Sequence, residues 1–214
     1  SVLKKLENIA IENENWQKAL QLMEQQTQII KDGDDELMSL FYTKGVIYKK
    51  YLNDLDNAIA SFQEVIKIDP DYGSVFNDLD VIYTESERWH DLVDLLFIKE
   101  NRVSNEEWQQ FLFRIGNIYK DKLQKADSTE EAFKKIIDIE PKNVSAMSSL
   151  LEIYHEQRQW DNWLEVAGKL ISLISSEQSV PIILEMARIE HSVMSNSERA
   201  VELIVDLRIT ESDN

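Results

Sequence analysis

Residues 48–70, YKKYLNDLDNAIASFQEVIKIDP, are written a second time at residues 119–141 as YKDKLQKADSTEEAFKKIIDIEP. Tyr48, Lys49, Leu52, Asp56, Phe62, Ile66, Ile68 and Pro70 recur as Tyr119, Lys120, Leu123, Asp127, Phe133, Ile137, Ile139 and Pro141, each pair 71 residues apart. The offset reaches well beyond these stretches. Gly45 maps to Gly116 and then to Ala187, Ala58 maps to Ala200 over two offsets, and Leu79, Ile82, Tyr83 and Trp89 map to Leu150, Ile153, Tyr154 and Trp160. Running backwards with a slip of two residues, Trp89 finds Trp16, and Leu79 and Ile82 find Leu6 and Ile9. A chain that repeats its apolar positions at a fixed step builds the same local unit several times and buries each unit against its neighbours.

The unit is helical. Glycine and proline together total eight among 214 residues, too few for a turn-rich β architecture. Long amphipathic stretches dominate instead, as in Leu37, Leu40, Phe41 and Tyr48, with charges between them. Half of the 71-residue step is close to 35, and the two halves resemble each other. Each holds a helix (A) ending near a tyrosine, a short turn, and a second apolar helix (B). The spacing predicts six helix pairs, over residues 1–31, 35–70, 71–101, 104–141, 142–175 and 178–210.

Gly45, Tyr48, Ala58, Phe62 and Pro70, followed by Gly116, Tyr119, Phe133 and Pro141, give the chain its resemblance to the tetratricopeptide repeat. It is similar to bacterial-type arrays in which standard units alternate with a shorter, tryptophan-opened form. The small residue lets two helices approach, tyrosine and phenylalanine fill the space between them, and proline ends the second helix. The resemblance implies an all-α fold, a right-handed α-α superhelix forming one solenoid over residues 1–214. Asp80 and Leu151 stand where the small glycine is expected, and Thr129 replaces the helix B alanine, so those units are expected to space their helices differently. Trp16, Trp89 and Trp160 recur at repeat spacing and are expected in the core, whereas Trp108 and Trp163 fall outside that register and are freer to be exposed. Val2, Leu3 and Leu6 look ready to pack on something upstream, the expectation for an excised segment of a longer protein, and apolar ends of such a stack would also join two copies as a homodimer.

Charge narrows the partners. Twenty-three Lys and Arg face 40 Asp and Glu, a net charge of −17, and no basic run exceeds a lysine pair. Nucleic acid and anionic membrane surfaces are therefore disfavoured. There are no cysteines, so disulfides and thiolate metal sites are excluded. No apolar run approaches the roughly 20 residues that span a bilayer, and there is no secretory leader in these residues; the cytoplasm is the compartment favoured.

No motif of chemistry emerges. There is no GxSxG, no Gly-rich phosphate loop and no HExxH, and the five glycines are scattered. The reading is of a chain that is not an enzyme, with no cofactor and no metal. His155 and His191 follow the tyrosine position of their A helices, with Glu152 and Arg188 one turn earlier and placed to pair; a zinc site with Glu156 lacks a convincing third ligand.

The resemblance assigns function to the concave face lined by the A helices. Its side chains would be Ser39, Tyr42, Val46 and Lys49 in the second pair, Asn77, Val81 and Thr84 in the third, and Phe113, Asn117 and Lys120 in the fourth. Ser148, Glu152 and His155 follow in the fifth, and Leu184, Arg188 and His191 in the sixth. Asparagines bond a peptide backbone without demanding a sequence, and apolar neighbours add affinity, so a partner's extended peptide or helix is the expected ligand. A clamp for C-terminal carboxylates starts well at Lys4 and Asn8 but continues with Thr43, Ser74 and Asp78, and Asp78 would repel the ligand. The alternatives are a partner-sensing domain appended to a larger enzyme or regulator and a helical-repeat module of RNA processing, the latter disfavoured by acidity.

Overall fold

The computed structural model describes residues 2–30 and 35–212, side chains being described up to residue 207. Twelve α-helices occupy the described residues: α1 (Val2–Glu12), α2 (Trp16–Thr27), α3 (Asp35–Ile47), α4 (Leu55–Ile68), α5 (Val75–Glu85), α6 (Trp89–Phe97), α7 (Asn105–Ile118), α8 (Ala126–Ile139), α9 (Val144–Glu156), α10 (Trp160–Ile171), α11 (Ser176–Ser192) and α12 (Ser197–Ser212). The chain forms two compact units, Ser1–Ile98 and Lys99–Asn214. In the first, α1–α2, α3–α4 and α5–α6 pack as pairs, with α2 against α3 and α4 against α5. The second repeats the scheme, pairing α7–α8, α9–α10 and α11–α12 and packing α8 on α9 and α10 on α11.

The turns inside the pairs carry the repeat most visibly. In the tryptophan-opened pairs, helix A stops at a left-handed residue, Glu14, Glu87 or Arg158. The next N–H reaches back to a carbonyl of the last turn: Asn15 to Ala10, Arg88 to Tyr83 and Gln159 to Tyr154, each at 2.8 Å. In the standard pairs, helix A widens into a π-helical turn, Tyr48–Leu52 or Tyr119–Leu123, before the left-handed residue. There Asp54 N–H donates to the Tyr48 carbonyl and Lys125 N–H to that of Tyr119, both at 2.9 Å; Asn196 N–H and the Glu190 carbonyl repeat the closure at 2.7 Å. The left-handed residues Asn53, Gln124 and Ser195 are spaced by 71, as are Glu87 and Arg158. From Glu14 to Glu87 the step is 73, which is the two-residue slip read in the sequence.

Between paired helices the small-residue register does what its chemistry demands. A Cβ at Gly45 would lie 2.4 Å from the Phe62 ring, and one at Gly116 would lie 3.0 Å from that of Phe133. Ala58, Thr129 and Ala200 are all buried, and the Thr129 hydroxyl is satisfied by donating to the Lys125 carbonyl at 2.8 Å.

The tryptophan-opened pairs fill the same gap differently. Glu7 stands at the glycine register in α1 and is almost fully buried. It accepts hydrogen bonds from Gln26 Nε2 at 2.5 Å and from Lys4 Nζ at 2.9 Å. In α9 and α10 the equivalent positions are Leu151 and Leu170, both buried. One molecule thus solves one packing problem with a polar pair and with an apolar pair. Replacing Gln26 alone with alanine is expected to cost about 2 kcal/mol or more, because the Glu7 carboxylate loses a buried donor. Converting both Glu7 and Gln26 to leucine should leave the unfolding free energy from urea titration within about 1 kcal/mol of wild type. A double variant less stable than the single one would show that the polar pair is required.

The tryptophans correct the sequence reading. Trp16, Trp89 and Trp160, each the first residue of its helix B, are only half-buried; Trp16 stacks on Tyr51 of the following pair, the ring centroids 3.9 Å apart, and Trp160 lies edge-on to His155. Trp108 and Trp163 are the buried ones. They occupy core positions of the same 71-residue register, where Trp108 answers to Leu37 and Trp163 to Leu92, both also buried.

Candidate functional site

In the first unit, the A-helix residues lie on α3, its π turn and α5. Ser39, Asn77, Val81 and Thr84 are exposed; Tyr42, Val46 and Lys49 are half-buried. Three of the seven are already engaged within the protein. Tyr42 Oη lies 2.6 Å from Ser74 Oγ and donates to Asp78 Oδ2 at 3.1 Å, while its ring packs near those of Phe62 and Tyr72. Lys49 Nζ completes the group by donating to Asp78 Oδ1 at 2.9 Å. Thr84 Oγ1 donates to Asp80 Oδ1 at 3.2 Å. Tyr42 and Lys49 therefore bolt α3 to α5 through Asp78. Asp78 and Ser74 entered the sequence reading only as members of a failed carboxylate clamp; their acidic and hydroxyl character facing Tyr42 and Lys49 was the available signal.

In the second unit the equivalent of Asp78 is Ser149, so the cation has no carboxylate at that place. Lys120 turns instead to Glu152 on α9, at 2.5 Å. Its ammonium pKa is raised, first by that hydrogen bond, with Glu156 and Asp121 adding to the negative field. Phe113 replaces Tyr42 and lies edge-on to Phe133, the ring centroids 5.7 Å apart. Asn117, Ser148 and Leu184 are exposed, Ser148 Oγ donating to the Val144 carbonyl at 2.9 Å.

The remaining charged residues pair otherwise than the sequence suggested. Glu152 meets Lys120 rather than Arg188. Arg188 folds back on Glu185 one turn earlier in α11, Nε donating at 2.8 Å and a second guanidinium nitrogen at 2.5 Å. His155 Nε2 lies 3.2 Å from the same Glu185, its ring edge-on to Trp160. The Glu185 carboxyl is consequently held below its ordinary pKa, chiefly by the Arg188 hydrogen bond. His191 Nδ1 meets Ser197 Oγ at 3.0 Å, so the two histidines serve different neighbours. Among the described residues, no three His, Asp or Glu side chains stand close enough to hold a metal ion. No described helix is long and apolar enough to cross a membrane.

On the helix B side, each unit has a cleft of about 300 Å³ at the same register. Ile66, Leu79 and Tyr83 line the first; Ile137, Leu150 and Tyr154, 71 residues on, line the second. Each opens where helix B of a standard pair meets the tryptophan-opened pair that follows.

A family model described as tetratricopeptide repeat matches residues 39–72 and 109–143. No curated protein matches the chain. Solved structures similar to it include YrrB, described as a TPR protein with an unusual peptide-binding site, at 11% identity and a TM-score of 0.46, with 90% of this chain and 93% of that one covered. MamA is similar at 18% identity and a TM-score of 0.44 over 84% of this chain and 94% of its own. PilF of Pseudomonas aeruginosa is similar at 12% identity and a TM-score of 0.43 over 100% and 92%.

Proposed function

We propose that this tetratricopeptide-repeat chain is a non-catalytic scaffold that holds a peptide or helix of a partner protein against the faces of its A helices. The observation that carries the reading is the contrast on those helices. Their B-facing sides are buried, yet Asn77 and Val81 on α5, and Asn117 and Leu184 in the second unit, stand in water at the repeat register. An exposed amide one turn from an exposed aliphatic group, as Asn77 is from Val81, suits a peptide, whose backbone needs donors and acceptors and whose side chains need apolar contact. Tyr42, Lys49, Lys120 and Arg188 have internal partners, so their part is to hold neighbouring turns in place. The large negative charge supports a protein partner over nucleic acid or an anionic membrane.

The test is affinity purification with the wild-type chain and with Asn77→Ala, Asn117→Ala and their double variant. The double variant is expected to retain its melting temperature and to lose most of the captured partner. Equal capture by wild type and double variant would rule out this face. Tyr42→Ala is a poor probe, since it breaks the Asp78 group and unpacks Phe62, lowering stability for reasons unrelated to binding.

A further inference from the structure

The two clefts on the helix B side share a floor and differ at the rim. In the first unit the floor is Leu79, Tyr83 and Leu95, exposed by 1%, 3% and 3%, beside Ile66. In the second it is Leu150, Tyr154 and Val166 beside Ile137, the same positions 71 residues on. A volume of about 300 Å³ stands at the small end of sites that hold a ligand, roughly 300–1,000 Å³, and admits a side chain or two.

Two lysines, Lys134 and Lys169, and two carboxylates, Asp138 and Glu165, rim the second cleft. In the first cleft Gln63 and Ile98 stand at the places of those lysines, so its rim keeps one cation, Lys67, against Asp91 and Asp94. Lys67 is taken up by Glu64 on its own helix. Arg88, over the Tyr83 ring, donates to Asp91 at 2.7 Å and to Asp56 at 3.2 Å, so its charge is already matched. Asp94 is exposed and has neither a hydrogen bond nor an ion pair among the described residues. Its field reaches the floor. The Tyr83 phenol pKa is raised, chiefly by burial, with Asp91 and Asp94 adding to it over the opposing effect of Gln63 and Arg88.

We propose that the cleft of the first unit seats a lysine or arginine side chain from a basic segment of a partner protein, its aliphatic stem on Leu79, Tyr83 and Leu95 and its charged head at Asp94. Such side chains bury their methylenes and keep the head in water, which an apolar floor under an acidic rim accommodates. The net charge of −17 draws a basic segment to the surface, and salt weakens the contact by screening. At the second cleft Lys134 and Lys169 repel the same head. The site lies on the helix B side, so it stands whether or not the A-helix faces bind a peptide.

The experiment is an NMR titration of the 214-residue chain at low salt with the capped tripeptide acetyl-Leu-Arg-Leu-amide, and with acetyl-Leu-Glu-Leu-amide as the control. The Tyr83 ring and Leu95 methyl resonances are expected to shift saturably with the arginine peptide and to need at least about fivefold more of the glutamate one. Tyr154 and Leu150 respond only at higher concentration. Asp94→Asn, a change at an exposed position, keeps the melting temperature and weakens the arginine peptide about threefold to fivefold, as for an exposed ion pair. Asp94→Lys reverses the preference between the two peptides. The absence of a saturable shift at Tyr83 and Leu95 overturns the proposal. So do equal affinities for the two peptides, a shift confined to Asn77 and Val81 on the A-helix face, or an Asp94→Asn protein that binds as wild type does.

Discussion

Replacing Gly45 with leucine is expected to cost about 3 kcal/mol or more, since inserting carbon into a packed core typically costs about 1–3 kcal/mol even where neighbours yield. Here they yield little. The first added carbon would stand 2.4 Å from one carbon of the Phe62 ring and 2.6 Å from another. That ring is fully buried, with Tyr42 5.7 Å away, so it has no open direction in which to turn. The melting temperature should fall by roughly 10 °C, at a few degrees per kcal/mol for a chain of this size. Gly116→Leu is expected to cost less, about 1–3 kcal/mol, because its added carbon would stand 3.0 Å from Phe133. Gly168→Ala is the control: on α10 its Cβ meets nothing within 4 Å, and the helix should gain about 0.5–1 kcal/mol. A Gly45→Leu protein that melts with wild type would contradict the packing described.

Truncating Phe133 to alanine should be as damaging from the opposite cause. The ring is fully buried, faces Gly116 and supports Phe113 edge-on. Its loss leaves a cavity that helices gripped by their turns cannot close, a change that typically costs about 3–5 kcal/mol. The urea midpoint should drop with the slope unchanged. Phe113 would lose its support at the same time, so a partner held by the second unit should bind more weakly even where the chain is folded. A destabilisation under about 1 kcal/mol would mean that the gap collapses and that the glycine–phenylalanine pairing is not rigid.

Much of this architecture could be read without coordinates, because the repeat is carried by residues whose roles are short-ranged. Gly45, Phe62 and Pro70 need only their own helix pair to explain them, and their echoes at Gly116, Phe133 and Pro141 fixed the period. The two-residue slip before Trp89 also came through, since a turn of given length changes register wherever it occurs. The tryptophans were misread because residue type was weighed above register. Trp108 aligns with Leu37 and Trp163 with Leu92, and that alignment alone would have placed both in the core. The candidate face was less legible. Which charge meets which depends on distances between helices of different pairs, and a single change, Asp78 to Ser149 across one period, redirects the lysine from one partner to another. Exposed positions such as Asn77 and Asn117 followed from the period; the bonds at Tyr42, Lys49 and Arg188 did not.

Every pair in which the link between helices is described turns on a left-handed residue, and none of these, from Glu14 to Ser195, is glycine. A side chain in that conformation carries a strain of about 1–2 kcal/mol. The strain sits at solvent-facing corners, apart from both the buried seam and the A-helix faces proposed for a partner. Heat resistance in this chain is therefore adjustable at its corners, one at a time, with recognition left untouched.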